Sequence, residues 1–474
     1  MLKKAFMLVS GNAFASVLLL LRNLIVARMV SPEDYGIAST FAISMSIVEM
    51  VSYLGLQQLI VVDKDGDEPH VQKAMQGFQV MRGIFTSLLL FSIAHPYAQF
   101  LDIPHVAWAY QVLALVPFIN GLQHYDIHRL KRHLNFTPSI VSSVVPALLT
   151  LLAIWPIATI YGDFRLMLAS LILQAVLTVA LSHMTAERRY GLAYDSQIIR
   201  KAMVFGWPLL LNGIMLFAVF NGEKLIVGRE LGMASLAIFS MAYTLTLTPT
   251  LVLANSIQQF FLPQLGAVQD RQADFQRIGM VTIEAGLCVG LILVLGIVIL
   301  GGPVVSLLLG PKYETILHIL VPLAILQAVR SAKTGSSVVA LARKRSGNAL
   351  VANLFRVASL PIAWWVAVKT GDIIAILWVG VAAEIVGFLV SLWLVRSRVK
   401  MSLYPLLIPV TLAALAYITT VVVATLHPPA ATWERHLRIE LLLPVGLSIA
   451  AMLSMEGLRD YAVRRFARRW RRAW

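Results

Sequence analysis

A guanidinium and a carboxylate stand at matching places in two long apolar runs. Residues 22–28 read Arg-Asn-Leu-Ile-Val-Ala-Arg, and residues 223–229 read Glu-Lys-Leu-Ile-Val-Gly-Arg. The same offset, 201 residues, sets Gly11-Asn12 against Asn212-Gly213. The chemistry of the two charges differs. The planar fork of Arg22 donates paired hydrogen bonds and suits a phosphate oxygen pair. A carboxylate such as Glu223, inside a membrane helix, can take up and release a proton. Around Arg22, the 3.6-residue period puts Asn12, Ser16 and Asn23 on one face. Asn212 and Glu223 share a face of the later run, with Lys224 turned away. If the two runs face each other, Arg22 and Glu223 meet across a cleft and form an outer gate. The plainer alternatives are a structural ion pair for Arg22 and neutralisation of Glu223 by Lys224.

Further cations lie in or beside apolar segments. Arg28 closes the first run at its outer end, where reaching to lipid headgroups is the simple alternative to binding an anion. Arg82, Arg330, Lys333 and Arg356 sit toward the inner side and together suggest a basic vestibule for an anionic group. Snorkelling to the interface competes with that reading for each one singly. Glu49, Glu284 and Glu384 are intramembrane carboxylates with no partner assignable from sequence. His124, His128 and His133 lack metal-ligand spacing, so neither a metal nor any other cofactor is expected.

The elements that must position these groups are membrane helices. Hydrophobic residues make up 58% of the 474 and charged residues 13%, against about 25% charged in soluble domains. Mean hydropathy is +0.78. At about 20 residues per crossing, fourteen spans are expected: 6–30, 36–62, 79–95, 107–123, 139–160, 164–184, 203–228, 235–258, 278–300, 315–341, 349–369, 373–395, 403–426 and 439–455. The expected fold is therefore all-α and polytopic. The first run continues past Arg22 to Val30 without a clean small-residue cleavage site, which argues against a removed signal. The single cysteine, Cys288, allows no intrachain disulfide.

The net charge of +15 reads as topology, not as a nucleic-acid footprint. With the N-terminus inside, 27 of the 39 Lys and Arg fall on the cytoplasmic side, seven fall opposite and five lie within spans. That bias places both termini in the cytoplasm. The tail carries Arg464-Arg465, Arg468-Arg469 and Arg471-Arg472 with Phe466, Trp470 and Trp474 between them, a basic amphipathic pattern suited to an anionic lipid surface.

The repeat divides the chain near residue 200 into a six-helix lobe at 1–200 and a second at 201–400, followed by two further helices at 401–455 and the basic tail at 456–474. An even number of helices per lobe makes the repeat parallel, an arrangement found in transporters. Prolines inside many spans, among them Pro146, Pro249 and Pro322, allow the kinks that alternating access needs.

The stretch from Arg22 to Gly36, an arginine-bearing helix running into Ser31-Pro32-Glu33-Asp34-Tyr35-Gly36, resembles the first-helix signature of the polysaccharide (O-antigen type) flippases. Leu54-Gly55-Leu56, Phe205-Gly206-Trp207-Pro208, Leu225-Ile226-Val227-Gly228 and Leu309-Gly310-Pro311-Lys312-Tyr313 resemble later motifs of that family in their order. The resemblance covers about residues 5–395. It implies the fold of the multidrug/oligosaccharidyl-lipid/polysaccharide exporters, two six-helix lobes around a cleft. It implies a bacterial cytoplasmic-membrane protein that moves an undecaprenyl-pyrophosphate-linked oligosaccharide outward. Membrane lipids and the polysaccharide polymerase machinery would be its surroundings. Arg22 and Arg28 also resemble the first-helix arginine pair of lipid II flippases, which engages the pyrophosphate. Glu223 stands where an Asp is more usual, which bears on coupling and not on fold.

Two other readings compete. A membrane glycosyltransferase or polymerase would use carboxylates such as Glu33-Asp34, but needs a pocket that the short outer loops do not supply. A cation-coupled drug antiporter on the same fold would favour an acidic, aromatic cleft, whereas five cations lie within the spans here.

Overall fold

The computed structural model describes residues 2–52, 54–133, 135–345, 347–426 and 439–470. Among these every regular element is helical. Two compact units divide the chain, Met1–Ala237 and Ile238–Trp474. Arg435, Arg438 and the last four tail residues lie outside the described residues.

The first unit runs α1 (Leu2–Met29), α2 (Pro32–Val51), α3 (Leu56–Val62), α4 (Pro69–Phe100), α5 (Ala107–Leu113), α6 (Leu115–Gly121), α7 (Asp126–Arg132), α8 (Thr137–Ala158), α9 (Arg165–Met184) and α10 (Ser196–Glu230). α11 (Gly232–Ala267) begins in it and carries the chain into the second unit. There follow α12 (Gln272–Leu309), α13 (Ile316–Ala342), α14 (Gly347–Ala358), α15 (Leu360–Thr370), α16 (Ile373–Leu394), α17 (Leu407–Leu426), α18 (Leu442–Leu453) and α19 (Glu456–Trp470).

Local chemistry sets the helix starts. Ser31 precedes Pro32 and accepts the Asp34 amide at 3.1 Å, so α2 opens with a capping hydroxyl and a proline at its first position. Asp195 caps α10 through the amides of Gln197 and Ile198, and Asp372 caps α16 through Ile374 and Ala375. The first amides of these helices, which have no partner within the helix, are thereby satisfied.

Eleven described helices are long and apolar enough to cross a membrane, or up to thirteen if two bent pairs each count as one span. The expected fourteen are not reached. The segment at 36–62 accounts for the difference: it folds as α2 and the short α3, and α2 holds Glu33, Asp34 and Glu49 within 20 residues. The bent pairs are the expected spans at 107–123 and 439–455.

The division into units also falls later than residue 200. α10 packs on α2 through small residues: a Cβ on Gly206 would meet the Leu54 carbonyl at 2.4 Å and one on Gly213 the Met50 carbonyl at 2.9 Å. In α1, Gly11 packs against Ile140 of α8.

In the second unit α13 is the enclosed central helix. It lies so close to α12 that a Cβ on Gly335 would meet the Thr282 carbonyl at 2.6 Å, and one on Gly290 the Ala328 carbonyl at the same distance. Leu287, Leu291 and Val294 of α12 then pack with Ile325, Leu326 and Val329 of α13 and with Phe388 of α16. In lipid, close packing of this kind holds helices together in place of hydrophobic exclusion from water.

Outside the apolar part, three connections of the first unit are tied by ions. Arg129 donates to Asp126 at 2.5 Å, to Asp67 at 3.2 Å and to Glu187 at 3.3 Å. Lys201 pairs with Asp63 at 2.7 Å, and His70 with Asp195 at 2.8 Å. The His133 imidazole and the Arg129 guanidinium hold the Asp67 carboxyl below the ordinary carboxylate range, and His70 with the α10 amides does the same for Asp195. A lowered folded value contributes stability above the unfolded range and loses it as pH falls through the lowered value. Thermal stability in detergent is therefore expected to be flat near neutrality and to decline only in strong acid. Arg129→Ala leaves the buried Asp126 carboxylate with only the Glu187 and Arg188 amides as long-range donors and is expected to cost about 3 kcal/mol, measured as a drop in melting temperature. Gly335→Leu is expected to abolish folded yield in size-exclusion profiles, because its new side chain meets backbone.

Candidate functional site

The densest chemistry inside the apolar part lies in the second unit. Arg330 and Lys333 of α13 are three residues apart and share a helix face. Asn353 and Arg356 repeat that spacing on α14. The three cations among them face Glu384 of α16. Lys333 Nζ lies 2.8 Å from Glu384 Oε1, Arg330 Nε 3.4 Å from the same oxygen, and Arg356 Nε 3.6 Å from Oε2. Glu384 is 0% exposed, Arg356 1%, Lys333 7% and Arg330 8%. Three cationic side chains thus converge on one carboxylate within a membrane-spanning bundle.

Neutral groups fix the orientation of the cations. Arg330 donates to Tyr243 Oη at 3.0 Å and to Gln327 Oε1 at 3.1 Å, and Lys333 donates to Asn353 Oδ1 at 2.9 Å. Gly387, one turn beyond Glu384, gives the room. A Cβ there would press on the Ala352 carbonyl at 2.8 Å and sit 3.7 Å from Lys333 Nζ. The result is a set of nitrogen donors already held at carboxylate spacing, and phosphate oxygens offer the same acceptor geometry. Preorganised donors of this kind need little rearrangement to accept an exchanged anion.

The first unit holds a different site. A cavity of about 460 Å³ is lined by Glu49, Gln79, Arg82, Asn120, Gln123 and Gln174, among others. Arg82 donates to the Ser52 carbonyl at 3.0 Å. Arg22 is buried and donates to Gln174, and also to Asn23 Oδ1 at 3.1 Å. Arg22 therefore stands behind the cavity wall and orients one of its amides. Four of the lining residues named are amides, which donate and accept in equal measure and suit hydroxyls, and they stand beside the charged Glu49 and Arg82.

The sequence-derived residues separate accordingly. Arg22, Asn23 and Arg82 belong to or support the first unit's cavity. Asn12 and Arg28 lie on the surface of α1, and Asn212 on the surface of α10. Glu223 is buried in α10, and the partners of Arg22 are Gln174 and Asn23, so the Arg22–Glu223 pair is not formed in this structure. Arg330 and Arg356 come together around a carboxylate and out of contact with bulk, not in an open vestibule; Arg82 lies in the other unit. Glu384, read from sequence as lacking an assignable partner, is the centre of the cluster. Charge balance was the signal available: three cations in α13 and α14 had no carboxylate on their own helices, and Glu384 is the acidic residue of an otherwise apolar helix.

The sequence profile of the polysaccharide biosynthesis protein family matches residues 25–318, more than half of the chain. This chain belongs to that family. Among curated relatives, the succinoglycan biosynthesis transport protein ExoT of Rhizobium meliloti is 23% identical over 54% of this chain and 52% of its own length, so the chain spans about half of ExoT. The teichuronic acid biosynthesis protein TuaB of Bacillus subtilis is 21% identical over 75% of this chain and 74% of its own. The lipopolysaccharide biosynthesis protein WzxC of Escherichia coli is 21% identical over 73% and 71%. In fold, the chain is similar to the lipid II flippase MurJ in an inward closed conformation, with TM-score 0.71 and 14% identity over 97% of this chain and 99% of that one. It is also similar to an inward-facing multidrug resistance transporter of the MATE family, with TM-score 0.68 and 15% identity over 82% and 96%. The family profile ends before Arg330, so the role of the cationic cluster is argued from its own geometry.

Glu384→Gln removes the acceptor shared by three cations and is expected to lower stability by about 3 kcal/mol or more. Adding Lys333→Met to that variant is expected to return part of the loss. A double-mutant cycle on melting temperature measures the coupling, and additive effects would deny it.

Proposed function

We propose that this chain is a flippase for a polyprenyl-pyrophosphate-linked oligosaccharide in cell-surface polysaccharide biosynthesis. The observation that carries the reading is the convergence of Arg330, Lys333 and Arg356 on Glu384 inside a membrane-spanning unit. A lipid-linked sugar must move a polar head and a diphosphate through about 30 Å of hydrocarbon. The diphosphate is the costliest part of that head, and guanidinium forks and an ammonium are the groups that offset its desolvation. In the proposed cycle the substrate's phosphate oxygens exchange for the Glu384 carboxylate at the same nitrogens. The amide-lined cavity of the first unit, backed by Arg22, takes sugar hydroxyls, while the prenyl tail stays in the bilayer.

Family membership and the transport and biosynthesis proteins among the relatives support this reading, as does the fold shared with MurJ and MATE transporters. Alternating access is the proposed movement, and translocation, not bond making, the proposed act. Glu223, a buried carboxylate on a membrane helix, is the proposed coupling group, with Asn212, Asn12 and Arg28 along the path. Both termini are proposed to face the cytoplasm, on the Lys/Arg bias, and the polymerase machinery would receive the product.

Deleting the gene and analysing lipid-linked sugars tests the proposal. Accumulation of complete repeat units on the carrier is expected. Truncated units would place the chain at a sugar-transfer step instead, and an unchanged pool would contradict the reading. Complementation with Arg330→Ala or Arg356→Ala is expected to restore export by less than about a tenth, the loss of one charged contact being worth a factor of ten or more. Arg28→Ala, on the surface, is expected to have the smaller effect.

A further inference from the structure

Glu284 has no place in the proposed transport path, and its surroundings are unusual for a buried carboxylate. It lies about three turns into α12 and is 0% exposed. Its Oε2 accepts the Leu458 amide of α19 at 2.6 Å. A Cβ on the neighbouring Gly457 would press on that oxygen at 2.8 Å, so glycine is what lets the start of α19 approach the carboxylate. Tyr461, one turn later, donates to Gln264 of α11 at 2.7 Å. α19 is thus strapped onto α11 and α12 at its first turns.

The other oxygen, Glu284 Oε1, is buried and has no hydrogen-bond partner in the protein. The Glu284 residue lines a cavity of about 860 Å³ whose wall also includes Gln264, Arg277, Glu456, Asp460 and Tyr461. Three carboxylates therefore border one cavity, and the most enclosed of them has an acceptor oxygen to spare. A buried carboxylate oxygen without a donor is costly. The amides at the start of α19 satisfy only Oε2.

We propose that this cavity is a binding site for a primary ammonium group, with Glu284 Oε1 as its enclosed acceptor and Glu456 and Asp460 as its outer ones. An ammonium supplies three N–H donors, one for each of the three carboxylates. Arg277 on the same wall is exposed and suits a phosphate. The pairing of ammonium and phosphate is that of an aminophospholipid headgroup, phosphatidylethanolamine being the common form. A soluble amine carries the first half of the same chemistry. The site is independent of the flippase reading, since none of its residues belongs to the cationic cluster or to the first unit's cavity.

The test uses the full chain in nanodiscs of phosphatidylglycerol mixed with either phosphatidylcholine or phosphatidylethanolamine. Melting temperature is followed by intrinsic fluorescence. A trimethylammonium has no N–H to give, so the ethanolamine discs are expected to raise the melting temperature by about 3 °C over the choline discs. Glu284→Gln is expected to erase that difference. Asp460→Asn, an exposed change that leaves the α19 contact intact, is expected to reduce it by about half. A lipid effect on bulk bilayer properties would persist in both variants, so an undiminished difference in either one overturns the site. Free ethanolamine added to choline discs separates the sources. A matching rise assigns the site to soluble amines, and no rise assigns it to the lipid. No gain from lipid or free amine overturns the proposal.

Discussion

A charge cannot stand alone in hydrocarbon, and the second unit is arranged around that constraint. Taking an ion out of water costs several kcal/mol even after relaxation. Four ionisable side chains from three helices meet that cost together, Glu384 receiving Arg330, Lys333 and Arg356. The requirement reaches outward from there. Glycines at 290 and 335 bring α12 against α13, and Gly387 brings α16 to α14. Gln327, Tyr243 and Asn353 then take up donors that a single carboxylate cannot. The apolar packing around α13 closes the set.

The two units answer polarity differently. The second concentrates charge in a dry cluster, where each pair is electrostatically strong because water is excluded. The first keeps an amide-lined cavity, with Arg22 used to orient Gln174. A substrate with a diphosphate joined to sugars has both kinds of chemistry. The flippase proposal assigns one kind to each unit.

Sequence reasoning reached the fold class because hydropathy at this density leaves few alternatives to a helical membrane protein. Thirteen of the fourteen expected spans correspond to described helices or bent pairs, and the motifs from Arg22 to Gly36 pointed to the family before any geometry. The segment expected as one span over 36–62 folds as the 20-residue α2 and the separate short α3, which Gly55 in a left-handed conformation divides. Their place in apolar segments singled out Arg330 and Arg356, but not what they touch. Glu384 lies 54 residues from Arg330 in sequence, and its role depends on tertiary packing. In this structure the Arg22 guanidinium donates to Gln174 on α9, 152 residues away, a contact that periodicity within α1 does not reveal. The use of Glu284 as an acceptor for the amides of α19, 174 residues away, had no local signal at all.

The measurement that bears most directly on the central claim is transbilayer movement by the purified protein. Proteoliposomes would carry a fluorescent short-chain polyprenyl-diphosphate saccharide in one leaflet, with an impermeant quencher reporting its arrival in the other. A parallel sample would carry the same saccharide on a neutral polyprenyl ether. The account predicts rapid movement of the diphosphate lipid, slow movement of the neutral one, and loss of the difference in Arg330→Ala and Arg356→Ala proteins that remain folded. Equal movement of both lipids, or undiminished selectivity in those variants, would contradict it.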